Sequence, residues 1–171
     1  MVLQKIIQEE KIGNLILYKL NHASIKAQVY AGIISEHIAW NKNTLPYSIL
    51  QKAANKVPIP FYIMIVTGSY AKNTQKATSD IDTVLIVGDS EDPKRIYAQL
   101  RLTCELSIPE IHLYVFKKSE FLEMLLNKGA NYGKEIAKNN LLLHGAQMYY
   151  QIINEAIEHG FNDQSIENFE K

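Results

Sequence analysis

Residues 61–87 read FYIMIVTGSYAKNTQKATSDIDTVLIV, two apolar runs separated by a polar segment. The first run, 61–67, is rich in aromatic and β-branched residues, and the second leads from two aspartates into the apolar residues 84–87. Both runs predict buried β-strands. The polar segment starts with Gly68-Ser69 and ends, ten residues later, in Asp80-Ile81-Asp82. Any chemistry in this stretch therefore lies at the ends of two strands.

Asp80 and Asp82 are expected on one face of the second strand, because side chains at positions i and i+2 point to the same side. Two carboxylates held close together repel each other unless they are solvated or paired. A divalent cation removes this repulsion, and Mg²⁺ binds one or two carboxylates together with substrate phosphates. The pair predicts either a site for Mg²⁺ (or Mn²⁺) or two solvated loop carboxylates.

Gly68-Ser69 follows the first strand directly and precedes a predicted short helical turn. Glycine lets a ligand approach the backbone closely, and the free N–H groups of the turn, with the Ser69 hydroxyl, can hold a phosphate oxygen. Taken alone, the pair also fits a turn glycine followed by a helix cap. Beside two metal-binding carboxylates, it predicts a site for nucleotidyl transfer.

The segment GSYAKNTQKATSDID resembles the signature of the DNA polymerase β-like nucleotidyltransferase superfamily, and is most similar to the minimal nucleotidyltransferases. The resemblance implies an enzyme that uses a divalent metal and a nucleoside triphosphate, with ATP as the first candidate. It assigns Gly68 and Ser69 to the triphosphate and Asp80 and Asp82 to the metal and to catalysis. Asn73 stands where family members often carry glycine, and asparagine tolerates left-handed backbone.

Active members of that superfamily usually supply a third carboxylate from a later strand. The candidate strand here, PEIHLYVF, alternates so that Glu110, His112 and Tyr114 share one face. His112 stands closest to the family's position, and Glu110 lies on the same face. Three interpretations stay open: Glu110 is the third catalytic carboxylate, His112 acts as a base in its place, or the third position is degenerate.

The rest of the chain predicts an α+β domain, a small mixed sheet flanked by helices, in three parts. Residues 1–42 are expected to form a β-hairpin, with strands at 2–8 and 15–20, and a helix capped by Asn21 or Ser24. This part resembles the wing and linker helix of some winged-helix nucleotidyltransferases. Residues 43–160 form the predicted nucleotidyltransferase domain, and residues 161–171 a polar tail.

Two further helix features follow from residue patterns. Ile25, Val29, Ile33 and Ile34 recur at helical spacing and predict one apolar face on the N-terminal helix. A later helix is expected to begin after a Ser119 cap and to end at Gly129.

Composition limits the partners, the disulfides and the location that the protein can have. The chain has 171 residues, zero formal net charge and a single cysteine. Neutral charge argues against nucleic acid as a tight partner, and one cysteine excludes an intramolecular disulfide. Cys104 lies in an apolar-patterned stretch and is expected to be a buried structural thiol. With no signal-type or membrane-spanning run, the sequence predicts a soluble, cytoplasmic protein without a membrane partner.

The sequence therefore supports two alternative functions. The first is a metal-dependent nucleotidyltransferase whose acceptor is a protein or a small molecule. The second is a catalytically weakened binding module, such as an antitoxin that contacts a toxin-like helical protein. The hairpin has little core of its own and predicts either a homodimer through residues 1–42 or a hairpin folded back on its own domain.

Overall fold

The structure, a computed structural model, describes residues 5–162 and has the expected α+β architecture, with small sheets flanked by helices. The elements in chain order are β1 (Ile7–Ile12), β2 (Leu15–Leu20), α1 (Ile25–Trp40), α2 (Tyr47–Ala54), β3 (Tyr62–Val66), α3 (Gly68–Ala71), β4 (Ile81–Val87), α4 (Pro93–Glu105), β5 (Ile111–Lys117), α5 (Lys118–Leu126), α6 (Tyr132–Lys138), β6 (Leu141–His144) and α7 (Ala146–Glu158). Strands β1 and β2 form a hairpin, and the other four form one sheet in the order β5-β4-β3-β6.

The central sheet is mixed. Strand β3 runs antiparallel to both β4 and β6, whereas β4 and β5 are parallel and are connected by α4. Asp92 accepts a hydrogen bond from the Lys94 N–H, and Pro93 occupies the first turn of α4, as helix starts favour. This crossover brings the start of β5 beside the start of β4, where Ile81 pairs with Ile111 and Asp82 with His112.

Each face of the sheet is covered by a separate apolar layer. Alternate residues of β3 and β4, such as Met64 and Leu85, pack with α2 and α4 on one side. Ile65 and Val84 pack with α5, α6 and α7 on the other side. Asp82 follows the same alternation as Val84, so its side chain belongs to the face that α5, α6 and α7 cover farther along the strand.

The hairpin differs from the sequence prediction at its first strand. That strand is Ile7–Ile12 rather than residues 2–8, and the turn consists of only Gly13 and Asn14. Gly13 has φ +60, the left-handed backbone that tight hairpin turns require at their first central position. With such a short turn Ile12 must pair with Leu15, so residues 9–12 become strand instead of loop. Residues 2–4 of the predicted strand lie outside the described range.

Helix α1 begins after Ser24, whose side chain accepts a hydrogen bond from the Ala27 N–H. The helix is anchored to the domain because the Trp40 indole N–H donates to the Leu143 carbonyl at 2.7 Å and the Ala146 N–H donates to the Glu36 carboxylate at 2.8 Å. The prediction of which side of this helix is buried was wrong. Ala27, Gln28, Gly32 and Ala39 are buried, whereas Ile25, Ile33 and Ile34 are exposed.

Two other local predictions can be compared with the structure. Helix α5 begins at Lys118 and not after a Ser119 cap, because the Glu120 carboxylate accepts the Lys117 N–H and caps the helix two residues earlier. It ends at Leu126, three residues before Gly129. Cys104 is buried in α4, as predicted, and burial raises the pKa of its thiol to about 11. In the part of the chain that the structure describes, no helix has the length and apolarity to cross a membrane.

Candidate active site

The site is built where β3 ends and β4 and β5 begin. Gly68 follows β3, and the Thr67 N–H donates to the Asp82 carbonyl at 2.9 Å, which continues the pairing of the two strands. Gly68 has φ +64, and a Cβ placed on it would overlap the Asp82 carboxylate. Both the backbone conformation and the close approach therefore require glycine. The two halves of the predicted motif are in direct contact.

The turn after Gly68 is a single helical turn, α3. Ser69 lies within it, half-buried, and its carbonyl accepts the Thr74 N–H at 2.9 Å. Asn73 closes the turn with φ +57, so asparagine takes the left-handed conformation that the sequence suggested. The buried Thr67 hydroxyl donates to the Asn139 carbonyl at 2.7 Å and fastens the turn to the end of α6.

Asp80, Glu110 and His112 form a cluster at the start of β4 and β5. Their ligand atoms all lie within 4.8 Å of one another, and all three residues are exposed. His112 Nε2 is 3.5 Å from Asp80 Oδ2 and 3.9 Å from Glu110 Oε1. The Ile81 N–H donates to the Glu110 carbonyl at 2.8 Å, so backbone pairing fixes the relative position of the two acids.

The cluster does not coincide with the predicted metal pair. Asp80 belongs to the cluster. Asp82, two residues later in the chain, is half-buried, and its carboxylate lies against Gly68. Glu110 and His112, which the sequence left as alternatives, lie together in the same cluster. The assignment of Asp80, Asp82, Glu110, Gly68 and Ser69 to catalysis, metal and nucleotide stays a prediction.

Tyr132 and Glu135 of α6 border the site, and sequence reasoning missed both. The Tyr132 hydroxyl is buried without a hydrogen-bond partner in residues 5–162. Burial, and then the charge of Asp82, raise the pKa of this hydroxyl far above its usual value. Glu135 Oε1 lies 2.5 Å from Lys72 Nζ, and this hydrogen bond lowers the pKa of the Glu135 carboxyl. No local pattern could have found these residues, because α6 reaches the site only through tertiary packing.

A family model described as a nucleotidyltransferase domain matches residues 50–144, which is more than half of the chain. The chain belongs to this nucleotidyltransferase family. The match runs from α2 to the last residue of β6, so it includes every strand of the central sheet and all of the candidate site residues. The family resemblance predicted from residues 68–82 is confirmed.

Two further comparisons complete this result. No curated protein matches the sequence. One solved structure, described as a crystal structure of the toxin-antitoxin with AMP-PNP, has 15% sequence identity and a TM-score of 0.46. The similarity covers 67% of this chain and 87% of that chain. It is too weak to carry an argument about this nucleotidyltransferase.

The residues of the cluster fit a divalent cation. Ligand atoms around an ion with bonds of about 2.0–2.2 Å lie about 3–3.5 Å apart. The His112–Asp80 separation of 3.5 Å falls in that range, and the His112–Glu110 separation of 3.9 Å is slightly longer. Two carboxylates and an imidazole at this position are a donor set that divalent cations bind.

Proposed function

We propose that the protein is a metal-dependent nucleotidyltransferase. It transfers a nucleoside monophosphate from a nucleoside triphosphate, with ATP as the first candidate, to a protein or small-molecule acceptor, and pyrophosphate is released. One observation carries the proposal: the Gly68 turn lies directly against the Asp82 carboxylate, and Asp80 and Glu110 start the two neighbouring strands. The turn to which we assign phosphate binding therefore lies close to a set of acids, within the matched family segment.

Each residue has a role that its position supports. The backbone N–H groups of the α3 turn and the Ser69 hydroxyl hold oxygens of the triphosphate. Asp80, with Asp82 or Glu110, provides carboxylate oxygens for a divalent cation. The cation neutralises phosphate charge and lowers the pKa of the attacking hydroxyl when bound. Where Asp82 is the second carboxylate at the cation, Glu110, exposed at the site, is available to take the proton of that hydroxyl.

The acceptor is inferred from charge. The chain is neutral overall, and phosphate backbones are bound chiefly by clustered Lys and Arg. Lys72, the lysine that follows the α3 turn, is already paired with Glu135. These features favour a protein or small-molecule acceptor over a long nucleic acid.

Incubation with α-labelled ATP and Mg²⁺ or Mn²⁺, in the presence of co-purifying molecules, tests the proposal. Label is expected on one acceptor, and ATP with metal is expected to raise the Tm. The double variant Asp80→Asn/Asp82→Asn should lose both effects, whereas Glu123→Gln, an exposed acid on α5, should keep them. Absence of metal-dependent triphosphate binding at millimolar concentration would contradict the proposal.

A second function is supported by a different observation, the exposed apolar residues of the N-terminal part. Tyr30, Ile33, Ile34 and Ile38 lie along the outside of α1, and Leu15 and Tyr18 are exposed on the hairpin. A helix that is apolar on all sides is normally buried. We infer a protein-binding role for residues 1–42, either with a second copy of the chain or with a helical partner, as an antitoxin would use.

The two functions are separable by experiment. A binding module should keep its partner in Asp80→Asn/Asp82→Asn and should lose it when the apolar α1 residues are made charged. A nucleotidyltransferase whose partner is its acceptor should label that partner, and the double variant should end the labelling. Retention of an unlabelled partner by the native protein would favour the binding module.

A further inference from the structure

The cluster of Asp80, Glu110 and His112 contains a nitrogen donor, and this composition bears on which ion the site selects. Mg²⁺ is a hard cation that takes oxygen ligands and water. Imidazole suits later first-row ions such as Zn²⁺, and their affinity for a mixed N and O site generally exceeds that of the earlier divalent ions. A purely acidic pair would not distinguish these classes of ion in the same way.

Three structural facts put the His112 imidazole within reach of an ion held by Asp80 and Glu110. In the parallel pairing of β4 and β5, His112 lies directly opposite Asp82. Its Nε2 atom faces the Asp80 carboxylate at 3.5 Å and the Glu110 carboxylate at 3.9 Å. The imidazole is 47% exposed, so a hydrated ion can reach it without any movement of the backbone.

We propose that His112 is a metal ligand of this site, so that the protein binds a first-row transition ion such as Zn²⁺ in preference to Mg²⁺, through Asp80, Glu110 and His112. The inference rests on the proposed function only for where the metal lies. It replaces the carboxylate pair of the sequence motif with a mixed donor set drawn from two strands, and it assigns a role to the histidine that stands near the expected third acid.

The test measures metal binding alone, without nucleotide or turnover. Zn²⁺ affinity is determined by competition with a chromophoric chelator and Mg²⁺ affinity by calorimetry, for the native protein and for His112→Gln. Loss of a ligand is expected to weaken Zn²⁺ binding by about tenfold or more, while Mg²⁺ binding stays within about twofold. His112→Asp, which restores an acid, is expected to favour Mg²⁺ relative to the native protein.

A second measurement reports coordination directly. In protein labelled with ¹⁵N-histidine, one equivalent of Zn²⁺ is expected to shift the Nε2 resonance of His112, identified by its absence in His112→Gln. His37→Gln is the matched control, since His37 is also exposed but lies on α1. The control should keep both the shift and the affinity.

The outcomes separate this inference from the proposed function. An unshifted His112 resonance at saturating Zn²⁺, or equal Zn²⁺ affinity in His112→Gln, overturns the ligand assignment even if nucleotidyl transfer is observed. A shifted resonance with the expected loss of affinity supports it even if no acceptor is ever labelled. Tighter binding of Mg²⁺ than of Zn²⁺ by the native protein also overturns it.

Discussion

At the scale of single residues, Gly68 has the most demanding position in the site. Its backbone is left-handed, and the space where a Cβ would stand is taken by the Asp82 carboxylate. Gly13 in the hairpin turn has a nearly equal φ of +60 but nothing within 4 Å of its Cβ position. Substitution of Gly13 therefore introduces backbone strain alone, whereas substitution of Gly68 introduces backbone strain and steric overlap.

We expect Gly68→Ala to destabilise the protein more than Gly13→Ala. Left-handed backbone costs an alanine about 1–2 kcal/mol at either position. Overlap with Asp82 adds about 1–3 kcal/mol at Gly68 alone. Urea unfolding of both variants measures the difference. Gly68→Ala should also lose the rise in Tm caused by a triphosphate with metal, because Asp82 must move. Equal destabilisation by the two substitutions would show that the close approach is unimportant.

Tyr132 is the second residue with an unusual surrounding, since its buried hydroxyl has no partner in residues 5–162. A buried unsatisfied polar group costs about 1–3 kcal/mol. Tyr132→Phe is therefore expected to raise the free energy of unfolding by about 1 kcal/mol in the absence of ligand. Tyr149→Phe is the matched comparison, because the Tyr149 hydroxyl accepts from the Asn140 side chain at 3.3 Å. Chemical denaturation should give opposite signs for the two variants, and a loss of stability in both would contradict the expectation.

At the scale of elements, α3 and α6 are held together by a short chain of polar contacts. Lys72 pairs with Glu135, the Asn139 side chain donates to Glu135, and the Thr67 hydroxyl donates to the Asn139 carbonyl. The Lys72 hydrogen bond lowers the pKa of Glu135 below its ordinary value of 4.5. A lowered carboxyl pKa stabilises the folded state above the unfolded pKa, and this contribution is lost as the pH falls through the folded pKa.

Glu135→Gln should accordingly lower stability by about 0.5 kcal/mol at pH 7, which is typical of a partly exposed ion pair. The difference from the native protein should disappear as the pH is lowered below about 4.5 and Glu135 itself becomes neutral. Urea unfolding across this pH range measures it. Glu123→Gln, exposed on α5, serves as the control. A difference that persists at low pH would assign the effect to packing instead of charge.

Sequence patterns predicted the elements that a short stretch of residues determines, and not those that pairing or packing determines. β3 and β4 were predicted from two apolar runs and the polar motif between them. The first hairpin strand was misplaced because residues 9–12 are mostly charged, and only the two-residue turn forces them to pair with β2. α1 has apolar residues on all sides, so periodicity could not decide which side the domain covers.

The site was predictable to the same degree. Contact between Gly68 and Asp82 follows from antiparallel pairing of consecutive strands, which the sequence suggests directly. The grouping of Asp80 with Glu110 and His112 depends on the register of β4 and β5, which are joined through α4. No short pattern fixes the register of a parallel pair, and the sequence therefore left Glu110 and His112 as alternatives.

At the scale of the whole molecule, the outer side of α1 is an exposed apolar surface. α1 packs one side against α7 and β6 and presents Tyr30, Ile33, Ile34 and Ile38 outward. These residues are spaced as one helical stripe. Since α1 is hydrogen-bonded to the domain, a partner on this stripe would be joined firmly to the nucleotidyltransferase domain.

Ile34→Lys is expected to abolish self-association if a second copy covers this stripe. The native protein should then sediment as a dimer whose fraction rises with concentration, and the variant as a monomer. Leu102→Lys is the matched control, because Leu102 is similarly exposed but lies on α4. A native protein that sediments as a monomer at every concentration would exclude the second copy and leave a heterologous partner as the occupant.

β5 is an edge strand of the described sheet. It carries His112, and Glu110 directly precedes it, so two of the three clustered residues depend on this strand. Edge strands lack a neighbour on one side and open locally at lower free energy than the strands between them. The cluster is therefore lost whenever β5 opens locally. We therefore expect mild denaturant to separate Asp80 from Glu110 and His112 while the helical layers are still intact, so that the site is lost before the fold.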